Sequence, residues 1–226
     1  ELFGDDAVSK LREAVADLSW LRTRGYAERS SVKLVGDRYA LRQRQRVAVA
    51  RCACSDASKD SRESRHVGLD AIAGRELVVD GLNVITTIEV ALAGGVLLLG
   101  RDGCLRDMAS FHGSYRLVEE TERAVDILVE LIDTTQAENA IIYIDQPVSN
   151  SGRLAEVIRR VAASRGSSLS AITAHDVDGT LVRSGAVVAT ADSAIVDRCE
   201  SWVGLARAAV ETHEAELVPL WLLDLH

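Results

Sequence analysis

The chain has 226 residues, of which 47% are hydrophobic and 27% charged, with a formal net charge of −8. That length allows one to two domains with a true core, and the composition excludes wholesale disorder. The longest apolar run, Val90 to Gly100, is interrupted by Gly94 and Gly95 and falls far short of the roughly 20 residues that span a bilayer. No basic segment followed by an apolar one opens the chain, so the expected location is the cytoplasm, with no membrane partner. The four cysteines are a Cys52-x-Cys54 pair with Cys104 and Cys199 far away. They do not have the paired spacing of a zinc site, and read as free thiols in a reducing compartment.

In chain order, residues 5–23 have apolar positions at Val8, Leu11, Val15, Leu18 and Leu21, the spacing of an amphipathic helix with Asp5 or Asp6 as its cap and Gly25 ending it. A short element of undetermined type runs from Ser30 to Val35, a turn falls at Gly36-Asp37, and a second long helix runs from Leu41 to Cys54. Between Arg22 and Arg51 lie nine basic residues and only two acidic ones, a net of +7, while residues 67–226 carry 12 basic and 24 acidic residues, a net of −12. A basic module beside an acidic one suits a protein that grips a polyanion with one part and a cation with the other. The expected nucleic-acid contacts are Arg22, Arg24, Lys33, Arg38, Arg42 and Arg46.

Residues 55–74 are polar and charged and read as a linker. The expected organisation is therefore a small basic helical module (1–54), a linker (55–74) and an α/β domain (75–226).

From Arg75 onward strands and helices alternate. Strands are expected at Glu76–Val79, Ala140–Ile144, Leu169–Ala174, Ala186–Ala189 and Leu217–Leu223. Helices are expected at Asn83–Ala93, Arg116–Ile132, Arg153–Ser164 and Val203–Thr212. Val96–Leu99 and Cys104–Met108 flank Arg101-Asp102-Gly103, a hairpin turn. This alternation implies a mostly parallel sheet with helices on both faces.

Four of these strands end in an acid: Asp80, Asp145, Asp176 or Asp178, and Asp192. Ligands bind outside the carboxyl ends of an open parallel sheet. Carboxylates crowded there repel one another unless a cation offsets them, and a hard divalent ion, Mg²⁺ or Mn²⁺, is the natural partner. Glu119 and Glu122 share a helix face, and Glu122 borders the apolar stripe, so either can bring a further carboxylate. Asp197 leaves the same strand as Asp192. His112, Tyr115 and Arg116 follow the hairpin, with Tyr115 a candidate base-stacking ring and Arg116 a phosphate contact. His175 reads as structural.

Two resemblances compete. His175–Val182, HDVDGTLV, is similar to the nucleophile string of haloacid-dehalogenase-like phosphatases, which would make Asp176 the nucleophile. That family also needs a downstream Lys, or sometimes Arg, and a later acidic motif, yet the last Lys in this chain is Lys59. The ordered set VVDGLNV (78–84), VEETERAVD (118–126), DVDGTLV (176–182) and VVATADSAIVD (187–197) resembles the PIN/NYN-like nuclease superfamily over about residues 75–200. That resemblance implies Asp80, Glu122, Asp178 and Asp192 as catalytic acids. Asp80, Glu119 or Glu122, Asp178 and Asp192 would be metal ligands, Asp197 a further one, and Asn83 and Asp145 accessory. The insertion Val96–Tyr115 departs from the compact pattern of that superfamily. The two-part layout also resembles an archaeal and bacterial family with a basic N-terminal module. The expected function is metal-dependent cleavage of RNA. The rival is a non-catalytic RNA-binding protein on the same fold, and an exposed sheet edge leaves room for a homodimer.

Overall fold

Helices α1 (Asp5–Thr23), α2 (Glu28–Arg38), α3 (Gln43–Cys52) and α4 (Asp56–Arg65) open the computed structural model, which describes residues 2–109, 115–217 and 220–226. Gly36-Asp37, expected as a turn, lies inside α2. Gly36 is there because the Arg46 guanidinium lies against the helix where a Cβ would be. The segment expected as a linker holds α4 and a 3-10 turn, Leu69–Ile72. Then follow β1 (Glu76–Asp80), α5 (Gly81–Leu92), β2 (Val96–Leu99), β3 (Leu105–Asp107), α6 (Thr121–Thr134), β4 (Asn139–Asp145) and α7 (Ser151–Arg165). The remainder is β5 (Ser170–Ala174), α8 (Val177–Arg183), β6 (Val187–Ala189), α9 (Ser193–Val196), β7 (Ser201–Val203), α10 (Leu205–Thr212) and β8 (Trp221–Asp224). Among the described residues no helix is long and apolar enough to cross a membrane.

The chain folds as two units. The first comprises Glu1–Ser64, Val96–Met108 and Trp221–His226; the second comprises Arg65–Gly95 and Ala109–Leu220.

In the first unit the expected hairpin forms, β2 pairing antiparallel with β3. The last strand, β8, pairs parallel with β2. Leu98, Leu223 and Leu225 join Leu11, Leu18, Val35 and Val49 in one core. Asp102, 1% exposed at its side chain, sits between the guanidinium groups of Arg62 and Arg106, with Arg106 donating to both carboxylate oxygens at 2.8 and 2.7 Å. Burial pushes Asp102 up, but the hydrogen bonds and charge of Arg106, with the charge of Arg62, outweigh it and hold the carboxyl at about 2. Cys52, Cys54, Cys104 and Cys199 are buried free thiols, Cys52 and Cys104 pushed up to about 12 by burial.

The second unit is built on a five-stranded, all-parallel sheet in the order β5-β4-β1-β6-β7. Strand residues alternate between its faces. Leu77, Val79, Ile142, Ile144, Val187 and Ala189 face the main core beneath α5, α6, α7 and α10. Val78 and Val188 point the other way, where α8 packs against β1 and β4 and α9 packs on α8. β7 was not anticipated: its three residues, Ser201-Trp202-Val203, are too short for an alternating pattern to declare itself.

Replacing one member of a buried ion pair leaves an uncompensated charge, at a cost of about 3–5 kcal/mol. Asp102→Ala is therefore expected to destabilise the first unit by that amount, read from urea denaturation. A carboxyl held below its ordinary value stabilises the fold above about pH 4. The wild type is expected to lose this stability as the pH falls from 4 towards 2, and the variant to lack that dependence.

Candidate functional site

The order β5-β4-β1-β6-β7 leaves β1 in one direction first and returns to its other side at β6. The reversal falls between β1 and β6, and in an open parallel sheet the crevice at such a reversal, beyond the carboxyl ends, is where ligands sit.

Asp80 is the last residue of β1 and caps α5. Parity with Val78 turns it away from the main core, towards the face that carries α8. It is only 7% exposed. Its Oδ1 accepts from the Asn83 backbone N–H at 3.3 Å, and its Oδ2 accepts from the Thr190 hydroxyl at 2.9 Å. Thr190 Oγ1 in turn accepts the Asp192 N–H at 3.1 Å, and Asn83 Oδ1 accepts the Ala191 N–H at 2.8 Å. The Asp80-Gly81-x-Asn83 string thus ties the end of β1 to the turn after β6. Gly81 is required because a Cβ there would sit 2.8 Å from the Tyr143 carbonyl oxygen.

Three more carboxylates lie at this edge. Asp192 caps α9, its Oδ1 accepting from the Ala194 N–H at 2.7 Å. Asp145 ends β4 on the same face as Asp80 by parity, and Asp178 lies in the first turn of α8. Burial pushes Asp80 up to about 7, against its two hydrogen bonds, with the charges of Asp192 and Asp145 adding to the rise. Asp145 is raised by burial and by Asp178, and Asp178 by burial and by Asp192, with Arg198 opposing the latter. Asp80, Asp145 and Asp178 are thus each raised by at least one other carboxylate of this edge. Among the described residues none of the four is in an ion pair, whereas Asp102, Asp126, Asp176 and Glu122 all are.

The helical acids do not join this group. Glu122 is held by Arg160 of α7 through two hydrogen bonds of 2.8 and 3.1 Å. Arg160 is nine residues beyond the start of α7, about 13 Å along the axis at 1.5 Å per residue. α6 also packs in the layer on the main-core face. Glu119 is exposed just before α6, and Asp197 is exposed at the end of α9. Asp176 caps α8 through the Gly179 N–H at 3.0 Å and pairs with Arg183 at 3.0 Å; it is exposed.

Tyr115, expected as a stacking ring, is 1% exposed. Its hydroxyl donates to the buried carboxylate of Glu89, which also accepts from Thr121 at 2.5 Å. A ring enclosed in this way offers no free face to a base. Glu89 gave no signal in the sequence beyond an acid inside an apolar helix. Arg116 is exposed, and His112 lies outside the described residues.

In the basic segment Arg22 donates to the Ala53 carbonyl and pairs with Glu28. Arg46 pairs with Asp37 and donates to the Leu41 carbonyl. These two are committed to the fold of the first unit. Arg24, Lys33, Arg38 and Arg42 are exposed, although Lys33 pairs with Asp37 and Arg38 with Asp17.

Among the described residues no three His, Cys, Asp or Glu side chains are gathered as a ready-made metal cage. The donors at the sheet edge are all carboxylate oxygens, the type that suits a hard divalent ion. Mg²⁺ is commonly held by one or two carboxylates while it keeps several waters, so the donor set fits such an ion without a closed cage.

A family model described as a domain of unknown function (DUF5616) matches residues 69–208, a span that includes all four aspartates, Asn83 and Thr190. A second, described as a protein of unknown function (DUF434), matches residues 10–65. The chain is similar to an uncharacterized protein of Methanocaldococcus jannaschii, MJ0935, 28% identical over 186 residues that cover 82% of this chain and 88% of that one. No solved structure matches.

A carboxyl with a folded value near 7 binds protons that the unfolded chain has released above about pH 4, so stability falls as the pH rises from 4 to 7. Asp80→Asn keeps an acceptor for the Asn83 N–H without the charge. It is expected to be more stable than the wild type at pH 8, by up to about 4 kcal/mol at about 1.36 kcal/mol per pH unit, with the margin vanishing near pH 4. Urea denaturation at both pH values measures this.

Proposed function

We propose that this chain, which belongs to the family defined by the domain of unknown function DUF5616, is a metal-dependent nuclease that hydrolyses phosphodiester bonds of RNA. The observation that carries the reading is the set Asp80, Asp145, Asp178 and Asp192. Four carboxylates, outside any ion pair among the described residues, lie at the carboxyl edge of the sheet by the reversal of strand order, near enough for charge to pass from one to the next. By contrast Glu122, Asp126 and Asp176 on the same unit are each matched by a guanidinium group. Asp80 is buried and Asp145 half-buried, whereas Asp178 and Asp192 are exposed; the buried charge of Asp80 beside its neighbours is costly unless something else supplies positive charge. The resemblance of the same strings to PIN/NYN-like nucleases supports the assignment.

Asp80 and Asp192 would hold the Mg²⁺ or Mn²⁺, with Asp178 and Asp145 adding negative charge across the crevice. The chemistry such an ion supplies is activation of a water for attack on phosphorus and offset of charge on the departing oxygen. The Thr190 hydroxyl orients Asp80 and its oxygen takes the Asp192 backbone N–H, while the Ala194 N–H holds the Asp192 carboxylate. Both acids are therefore set before any ligand arrives, which is how a site avoids reorganisation during reaction. The exposed cations of the first unit would hold the backbone through phosphate contacts without reading sequence.

The purified chain is expected to cleave end-labelled single-stranded RNA with Mn²⁺ and not with EDTA. Asp80→Asn should lose at least about 100-fold in rate, and Mn²⁺ should raise the melting temperature of the wild type at pH 8 but not that of the variant. Equal cleavage by wild type and variant would overturn the catalytic assignment. Metal-independent RNA binding without cleavage would favour the non-catalytic rival.

A further inference from the structure

The first unit has a groove where α1 meets α2. Its walls are the side chains of Leu21, Tyr26 and Leu34, with Ser30, Lys33 and Asp37 along the polar side, and its volume is about 370 Å³. Local sequence builds it. α1 ends at Gly25, in the left-handed region with φ +76°. The Gly25 N–H donates to the Arg22 carbonyl at 3.0 Å and the Tyr26 N–H to the Leu21 carbonyl at 3.2 Å. This double closure is a Schellman ending, in which the residue after the glycine packs on the residue five before it. Tyr26 is thereby fixed beside Leu21. Yet the ring is 59% exposed, and Leu34, on the facing helix, is 60% exposed. The cap contact uses only part of the tyrosine and leaves an aromatic face open to solvent.

Lys33 lines this apolar slot, and Arg29 lies one helical turn before it on α2. Arg29 is exposed with no ion-pair partner among the described residues, and Lys33 remains exposed although it pairs with Asp37 at 2.9 Å. Asp37 brings no net repulsion, because Lys33 and Arg46 both hydrogen-bond it and hold it below its ordinary value. Nearby on α1, the Arg24 guanidinium lies 3.6 Å from the centroid of the half-exposed Trp20 ring. An aromatic face in a small slot, edged by Lys33 in a segment of net +7, is the combination that holds unpaired bases by stacking and their phosphates by charge. Size argues in the same direction. The slot is at the lower end of small-ligand pockets, and a stable protein partner needs about 800 Å² on each side.

We propose that this groove binds one unpaired nucleotide of single-stranded RNA, with the base stacked on Tyr26 between Leu21 and Leu34 and the flanking phosphates on Arg29 and Lys33. The proposal rests on the reading of this chain as an RNA-binding protein, but not on its being a nuclease.

The test uses the full chain carrying Asp80→Asn, in EDTA, with a fluorescein-labelled 12-nucleotide oligouridylate and a duplex RNA of the same length, read by anisotropy across a salt series. Base stacking lost on alanine substitution corresponds to a drop of at least about fivefold in affinity. Adding Tyr26→Ala should weaken oligouridylate binding by about tenfold without changing the salt slope, and Tyr26→Trp should restore it. Arg29→Gln with Lys33→Gln should instead flatten the slope of log affinity against log salt by about 1.4, at about 0.7 per phosphate for a single strand. The duplex should bind more weakly and not respond to Tyr26→Ala. Unchanged affinity in Tyr26→Ala overturns the groove while leaving the nuclease reading to its own cleavage assay. Loss of binding in Tyr26→Ala that Tyr26→Trp does not restore overturns it as well. Unaltered RNA affinity together with loss of a concentration-dependent dimer in Tyr26→Ala overturns it in favour of self-association.

Discussion

A carboxylate buried at the end of the central strand is the constraint from which the second unit is organised. Asp80 closes β1 where neighbouring strands leave in opposite directions, and burial there would be prohibitive for a bare charge. The fold meets this cost partly by hydrogen bonding: Thr190 and the Asn83 N–H supply two donors. It meets it partly by protonation, since the carboxyl is pushed up to about 7. The side-chain oxygens of the same two residues accept the Ala191 and Asp192 N–H groups and tie β1 to the turn after β6, so the residues that make Asp80 tolerable also position Asp192. Site geometry and local stability are therefore one set of interactions.

Charge is distributed unevenly, and the unevenness carries the functional argument. Arg160 takes Glu122, Arg165 takes Asp126 and Glu130, and Arg183 takes Asp176. Exposed pairs of this kind contribute little to stability, but they do neutralise. The four acids at the sheet edge share no such partner among the described residues. Burial and neighbouring carboxylates raise rather than lower Asp80, Asp145 and Asp178, the kind of perturbation that functional sites use.

The first unit solves a different problem. A small set of polar helices buries little apolar surface by itself, and the chain adds to its core twice from distant positions, with the β2–β3 hairpin and again with β8. Asp102, in the hairpin turn, draws in Arg62 from α4 and Arg106 from β3. Such a triad is weak as a source of net stability and strong as a device for fixing register, because any alternative packing would strand a buried charge.

Much was legible without coordinates. Short apolar runs alternating with helical segments marked β1, β4, β5 and β6, and an acid after each marked the carboxyl edge of a parallel sheet, since strand polarity alone places those ends together. The strand ending at Val79 and the helix beginning at Asn83 bracketed Asp80 and Gly81 as the turn between them. Tertiary structure decided the rest. Whether Glu122 faces the crevice depends on the offset between α6 and α7, and no local pattern encodes it. Tyr115 read as an exposed ring because its partner Glu89 lies 26 residues away. β8 and the hairpin belong to the first unit because Leu98, Leu223 and Leu225 complete a core begun at Phe3 and Leu11. Periodicity specifies which side of an element is buried, but the surface that buries it is chosen only when distant segments meet.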